Sequence, residues 1–296
     1  MQQAKLHSLF RPVQGNGRVT SSSYVEIEPS PLLQPYVSCY WASEPVADGT
    51  PEASEPDSVP DRVIPDGCTD ILFERDLTNG QYRIRYIGLL EHPFSIAYDD
   101  VRPSFKLGVR LFPGGAYPLL KSRIAEFTNR SCFLDDAAPD LAGELDELGE
   151  RIAEAPTLAG KVRLLEQSLT RWLQPAGSSA LHDRMSGWLH RIFTSGGTAS
   201  VQELAAEAVL SSRQMNRDFD QWVGVSPKKF SEIVRFQSLV RQIRSQPQRD
   251  WASLAAQYGY FDQSHMIHEF RRFYGDSPVV AAREFHLASD FYNPKR

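Results

Sequence analysis

The 296-residue sequence has few of the features that mark membrane, secreted or metal-binding proteins. It contains no run of the ~18 apolar residues that a membrane-spanning helix needs, and its first residues lack the apolar stretch of a signal peptide. Its three cysteines, Cys39, Cys68 and Cys132, are widely spaced and form no paired zinc-binding pattern. These absences predict a cytoplasmic protein with reduced thiols and no membrane segment.

Charge is divided unevenly along the chain. Residues 1–179 hold 25 acidic and 17 basic residues, whereas residues 180–296 hold 12 acidic and 15 basic residues. The length is typical of two domains, because single cores stop growing at ~250–300 residues. A mildly basic second half agrees with nucleic-acid binding, but so small a surplus does not establish it.

The first half of the sequence has the pattern of an antiparallel sheet. The segments with strand-like composition are residues 71–73, 82–87, 94–98 and 105–112, besides a short one at 63–64. Asn79-Gly80 is a hairpin turn signal between the first two of them. Residues 43–61 hold four prolines and six acidic residues, which predicts a mobile loop. We therefore expect an α+β protein whose residues 1–138 form a β-rich sensor domain.

Residues 139–179 change to a helical period. Two apolar stripes recur at spacings of three and four: Leu141, Leu145, Leu148 and Ile152, then Leu158, Val162, Leu165, Leu169 and Leu173. They predict a helical hairpin that connects the two halves of the protein. The hairpin either packs against the sheet or forms a dimer seam. Residues 174–179 have the composition of a linker.

The second half repeats itself. The Leu-Ala-Ala of residues 204–206 returns 50 residues later, at 254–256. A Phe-x4-Gly-x-Ser-Pro pattern at 219–227 returns 51 residues later, at 270–278. The one added residue must lie in the turn between the two matched blocks, and two matches in register indicate an internal duplication.

Each copy predicts a helix-turn-helix unit, at about 200–223 and 250–274. The expected helix N-caps are Ser200, which forms a capping box with Glu203, and Ser211, Asp250 and Asp262. Gly259 suits the tight turn of the second unit. Ser226 and Pro227 are expected to begin a long connecting helix with one buried stripe and one basic face. Helix, short turn and helix is the unit with which many proteins bind DNA, so residues 180–296 are predicted to form an all-α DNA-binding domain.

The second copy reads Tyr-Gly-Tyr-Phe-Asp-Gln-Ser-His-Met from Tyr258 and Phe-Arg-Arg-Phe-Tyr-Gly-Asp-Ser-Pro from Phe270. Together with the repeat, it resembles the DNA-binding domain of the AraC/XylS family over about residues 181–285. The resemblance implies a sequence-specific transcription regulator that binds double-stranded promoter DNA. Segments between Leu33 and Gly115 resemble an uncharacterised N-terminal domain of a subset of these regulators, which implies a β-rich, cupin-like or related sensor.

The resemblance also implies which residues contact DNA. In that family the first exposed turns of each recognition helix contact bases, which implicates Arg213, Asn216, Arg217, Gln263, Ser264, Ile267 and His268. Position 268 usually holds Arg, and position 209 usually holds a small residue where this chain has Val209. A valine there predicts a slightly wider first crossing. Lys228 and Lys229 stand at a helix start, where they are either solvated or bind phosphate.

An enzyme is the alternative for the first half. Only two histidines precede residue 180, which is too few for the metal site of a cupin enzyme. Cys39 or Cys68 would be the candidate for an alkyl-accepting thiol, and Asp66 with Asp70 for a pair of catalytic acids. A turn and a strand end explain the two aspartates more simply. We expect a non-enzymatic regulator without metal or cofactor, controlled by an unknown small-molecule effector, acting as a homodimer, with RNA polymerase as a further partner.

Overall fold

The computed structural model describes residues 3–15, 22–45, 62–96, 103–173, 180–245 and 250–292. Most of the predicted acidic loop, residues 46–61, and the predicted linker at 174–179 lie outside the described residues.

Eight strands are described: β1 (Ser22–Ile27), β2 (Val37–Pro45), β3 (Arg62–Val63), β4 (Thr69–Asp76), β5 (Tyr82–Ile87), β6 (Phe94–Ser95), β7 (Ser104–Leu111) and β8 (Ser131–Phe133). Six of them form one antiparallel sheet in the order β1-β2-β7-β4-β5-β8, while β3 and β6 pair separately. The predicted antiparallel, β-rich first half is confirmed.

The strand predictions differ from the structure in three places. The β4–β5 hairpin turns at Asn79-Gly80 as expected, with Arg75 opposite Tyr82. Ser43–Pro45 were assigned to the loop, but they belong to β2 because they pair with β1. Of the predicted strand at 94–98, Phe94–Ser95 form β6, and residues 97–98 lie outside the described part. Strands β1, β2 and β8 were not predicted.

The described part of the chain contains twelve α-helices: α1 (Gln3–Leu9), α2 (Tyr117–Leu120), α3 (Leu134–Ala137), α4 (Ala142–Glu154), α5 (Leu158–Trp172), α6 (Ala180–Thr194), α7 (Val201–Glu207), α8 (Ser212–Trp222), α9 (Pro227–Ser245), α10 (Trp251–Gln257), α11 (Gln263–Tyr274) and α12 (Pro278–Tyr292). A search of these helices finds none long and apolar enough to cross a membrane.

The hairpin α4–α5 lies against the sheet within the same chain. Leu145, Leu148 and Leu165 share one buried cluster with the sheet residues Phe73 and Leu107. Both apolar stripes are therefore covered by this chain's own sheet. The hypothesis that they form a dimer seam is wrong, because a side chain already buried in its own core has no apolar area to offer a second copy.

The helix caps predicted in the second half are confirmed. The Oγ atom of Ser200 accepts from the backbone N–H of Glu203, whose side chain in turn accepts from the backbone N–H of Ser200, so the capping box is complete. Ser211, Asp250 and Asp262 cap α8, α10 and α11 by accepting backbone N–H bonds. These local signals placed the four helices of the two helix-turn-helix units correctly.

The two turns share their last hydrogen bonds before the added residue. Leu210 N–H donates to Ala205 O in the first copy, and Tyr260 N–H, 50 residues later, donates to Ala255 O in the second. The next helix is capped at Ser211 in the first copy and at Asp262, 51 residues later, in the second. The added residue is therefore Phe261, in the turn as predicted.

Val209 does not widen the first crossing, contrary to the prediction. It occupies the place of Gly259 and shares its positive φ, 55° against 69°. Its side chain is 90% exposed, so it lies outside the helix contact. The left-handed backbone turns the Cβ away from the crossing. This conformation is energetically unfavourable for a β-branched residue.

Burial of the hairpin predicts the effect of shortening one of its side chains. Leu165 is 1% exposed, so Leu165→Ala should lower the free energy of unfolding by about 2–5 kcal/mol, as measured by urea denaturation. The exposed Arg163→Ala on the same helix should change it little. An unchanged stability combined with conversion of a dimer to a monomer would restore the seam hypothesis.

Candidate nucleic-acid interface

Helix α8 has one apolar and one polar face. Met215 and Phe219 point into the core and are fully buried. Arg213, Asn216 and Arg217, the residues implied in base contact, are all exposed. The structure therefore brings the three predicted side chains together on the solvent side of the helix.

Helix α11 repeats this arrangement. Met266 and Phe270 are buried at the positions that correspond to Met215 and Phe219, 51 residues earlier. Among the predicted base-contacting residues here, Gln263, Ser264 and His268 are exposed. Ile267 differs from them, because it is partly buried and packs against the hydrophobic core.

The polar side chains of α8 are held by bonds within the helix. Arg217 Nη2 donates to Gln214 Oε1 at 2.8 Å, and Asn216 Nδ2 donates to Ser212 O at 2.9 Å. Such exposed bonds exchange readily with water or with a base edge. Arginine and asparagine are side chains that can grip guanine and adenine through two hydrogen bonds.

The two lysines at the start of α9 are not equivalent. Lys228 is exposed. Lys229 lies 3.4 Å from Glu232, and its Nζ stands 5.7 Å from the centre of the Phe273 ring. Of the two, Lys228 presents the more accessible charge to a phosphate.

Helix α9 lacks the basic face that its sequence predicted. From Phe230 to Ile243 none of its residues is exposed. Arg235, for example, is half-buried and bonds to Glu269 of α11. The prediction failed because the N-terminal domain and both helix-turn-helix units pack around this helix, which a one-sided periodicity does not reveal.

The N-terminal domain contacts α9 through one fully buried amide, that of Gln237. Its Oε1 accepts from Val13 N–H at 2.7 Å, and its Nε2 donates to Val13 O at 2.9 Å and Pro65 O at 2.7 Å. Next to this bond, Gly67 faces the ring of Phe230, and a Cβ at Gly67 would lie only 3.0 Å from that ring. Two separate segments of the N-terminal domain thus dock on the same helix.

Further contacts tie the N-terminal domain to the first unit at the C-terminal end of α8. Arg123 forms a 2.9 Å ion pair with Asp220. The ring of Tyr117 stacks on that of Trp222 with centroids 4.6 Å apart. Both contacts lie at the end of the helix opposite to Arg213.

The second unit is held in a similar way by Arg62. This arginine lies 3.4 Å from Glu284 and 4.0 Å from Asp276. Tyr274, the last residue of α11, donates its hydroxyl to the same glutamate at 2.5 Å. Both units are therefore fixed to the N-terminal domain, while their predicted base-contacting faces stay open.

Comparison with known families agrees with this geometry. Residues 204–284 match a family described as a helix-turn-helix domain. Residues 204–284 are thus a helix-turn-helix domain, in agreement with the resemblance of the sequence to the AraC/XylS family. Residues 25–133 match a second family, described as a domain of unknown function (DUF6597). No curated protein matches the chain significantly.

Solved structures give more distant likenesses to this chain. ToxT from Vibrio cholerae O395 is 12% identical, with a TM-score of 0.38 over 74% of this chain and 88% of that chain. Unsaturated fatty acid bound ToxT from Vibrio cholerae strain SCE256 is 10% identical, with a TM-score of 0.35 over 73% of this chain and 86% of that chain. Likenesses this weak do not extend to the details of a site.

The N-terminal domain contains a buried charge cluster around Arg110. Its Nε lies 3.7 Å from Asp66 and 3.8 Å from Asp70, and its Nη1 lies 3.3 Å from Glu26. Arg110 also donates to Gln14, the neighbour of Val13. The cluster therefore touches both segments that bond to α9, the one before Gly15 and the one around Pro65.

The thiols of this half do not favour an alkyl-accepting regulator. Cys39 and Cys68 are buried. Burial, opposed by the charge of Arg110, raises the pKa of the Cys39 thiol to about 12, and burial also raises the pKa of Cys68 well above its usual range. Because the thiolate is the nucleophile, both groups are unreactive at neutral pH.

Sequence reasoning missed Gln237, which joins the two halves, and Arg110, which contacts the two N-terminal segments beside those bonds. Each depends on partners far along the chain, such as Val13 for Gln237, 224 residues away. No local pattern carries that information. A glutamine in the middle of an apolar helical stripe was the one available signal.

The charge cluster predicts a pH-dependent difference in stability. Burial raises the pKa of Asp66 to about 6, although the charge of Arg110 opposes the shift. The raised value means that Asp66 stabilises the fold at low pH, where it is protonated, and that this contribution is lost as the pH rises through 6. Between about pH 4 and pH 7, the wild type should lose about 1–3 kcal/mol of unfolding free energy relative to Asp66→Asn.

Urea denaturation of both proteins at several pH values measures this difference. Asp140→Asn changes an exposed carboxylate and serves as the control. A wild type that instead gains stability over Asp66→Asn as the pH rises would mean that the Arg110 ion pair outweighs burial.

Proposed function

We propose that this protein is a transcription regulator of the AraC/XylS type and recognises a two-part site in promoter DNA, with α8 and α11 in successive turns of one major-groove face. The observation that carries the proposal is the duplicated face. Each helix buries a methionine and a phenylalanine four residues apart and exposes polar side chains beside them. One exposed polar face is ordinary for a surface helix, but its recurrence after 51 residues on an equally capped helix supports a shared role.

Base contact is proposed for the exposed residues of the two helices: Arg213, Asn216, Arg217, Gln263, Ser264 and His268. Ile267 is proposed for an apolar contact only, since it is partly buried. Lys228 is proposed as a phosphate contact, supported by the amide groups at the start of its helix. Lys229 has a weaker case because its charge is already paired with Glu232.

Control by a small-molecule effector of the N-terminal domain is the second part of the proposal. The direct bonds from this domain to Gln237 support a route by which it acts on α9. Two hollows between the domain and residues 139–173 measure about 20 and 50 Å³, well below the ~300–1,000 Å³ of common ligand sites. No effector site is therefore assigned to either hollow.

Three further expectations stay predictions of the proposal. These are a cytoplasmic location, a homodimer and contact with RNA polymerase. The homodimer now requires a surface other than the apolar stripes of α4 and α5, which the sheet covers. Sedimentation at tens of micromolar protein tests it.

The two-part site is tested by footprinting the full-length protein on a duplex that it selects from a random library. Two protected major-groove segments about 10 bp apart are expected on one face of the DNA. The full chain is used because Leu6, Phe10 and Phe112 belong to the core of the second half, so truncation would expose apolar surface. A single protected segment of about 4 bp would contradict the proposal.

Two substitutions separate base contact from phosphate contact. Arg217→Ala should lower affinity for the selected duplex roughly tenfold and leave binding to random duplex nearly unchanged, because a base contact carries sequence information. Lys228→Ala should weaken both and reduce the salt dependence of binding. Fluorescence anisotropy at several salt concentrations measures both effects. Equal loss on the two duplexes for Arg217→Ala would remove α8 from the base-contacting elements.

A further inference from the structure

The duplication extends beyond the two helix-turn-helix units to the helix that precedes each of them. Arg184 on α6 and Arg235 on α9 are 51 residues apart. Asp218 on α8 and Glu269 on α11 are also 51 residues apart. Helices α6 to α8 and α9 to α11 are thus two copies of a three-helix unit, each with an arginine on its first helix and an acid on its third.

In both copies the arginine bonds to the acid inside the unit. In the second copy, Arg235 donates to Glu269 through Nε at 3.0 Å and through Nη2 at 2.6 Å, with both carboxylate oxygens engaged. Tyr260 donates to the same carboxylate at 2.8 Å, and the guanidinium lies 4.3 Å from its ring centre. Glu269 is only 6% exposed, so this charge has little water to replace its partners.

The first copy has the same pair with fewer contacts. Arg184 Nη2 donates to Asp218 Oδ2 at 3.3 Å, and Gln214 Nε2 donates to Oδ1 at 2.6 Å. Asp218 is 2% exposed. The shorter acid is reached by one arginine nitrogen instead of two.

Each acid follows directly after a residue proposed to contact bases, Arg217 in one copy and His268 in the other. Successive residues of an α-helix differ by about 100° around its axis, so an acid fixed inward fixes where its neighbour points. A buried charge that leaves its partner is strongly disfavoured, which holds the helix at that rotation. Base contacts depend on direction more than phosphate contacts do.

We propose that Asp218 and Glu269 are positioning residues for base recognition, each buried acid holding its recognition helix at one rotation through an arginine on the first helix of its unit. This inference rests on the proposed two-part DNA recognition. Each acid is proposed to affect base discrimination in its own part of the site and not the affinity for DNA in general.

The experiment compares Asp218→Asn and Glu269→Gln in the full-length protein. The probe is the duplex selected by the wild type, together with every single base-pair substitution in it. The base pair whose discrimination is lost in Arg217→Ala marks the first part of the site, and that lost in Gln263→Ala marks the second. Circular dichroism and thermal unfolding establish that each variant is folded.

Glu269→Gln should reduce discrimination about tenfold in the second part and leave the first part within twofold, and Asp218→Asn should do the reverse. Each variant thus provides the control for the other. Tyr260→Phe, which removes one bond and keeps the ion pair, should give a smaller loss confined to the second part, and it serves in place of Glu269→Gln if that variant does not fold.

A purely structural role predicts another pattern. If either acid variant weakens every duplex equally, or affects both parts of the site alike, the positioning role is overturned while two-part recognition stands. If the wild type selects no sequence at all, both proposals fail together.

Discussion

Packing around helix α9 is the constraint on which the rest of the structure depends. Gln237 bonds it to the N-terminal domain, Arg235 bonds it to α11, and Phe230 packs with Phe219 of α8 at a ring distance of 6.1 Å. Because close-packed interiors transmit strain, a displacement of a helix that is packed on all sides is passed on to the elements that contact it. The relative placement of α8 and α11 therefore depends on the packing around this one helix.

The features that could be predicted from sequence are those with local causes. Ser200 and Glu203 form a capping box because both partners lie within one helical turn. Gly259 has the positive φ expected at its turn. The internal duplication allowed each such signal to be compared with its copy, so both helix-turn-helix units and their exposed faces were predicted. One local inference failed at Val209, whose conformation turns its side chain out to solvent.

The features that could not be predicted depend on contacts distant in sequence. Phe10 stacks on Phe193 at 4.5 Å, so a residue at the start of the chain belongs to the core of its second half. The apolar stripes of α4 and α5 have the same pattern whether a sheet or a second copy covers them. Periodicity shows that a face is buried but not by what, which is also why α9 was expected to keep a basic face.

The position of the docking contacts determines which kind of control the fold permits. The N-terminal domain grips α8 near Asp220 and the second unit near Asp276 and Glu284. Arg213, Arg217 and Gln263 remain exposed while these contacts are made. The docked domain therefore does not cover the faces that would meet DNA. On the proposed function, control through these contacts would act on the spacing and orientation of the two units, because two rigid units joined by one buried helix would bind a two-part site only when both orientations fit.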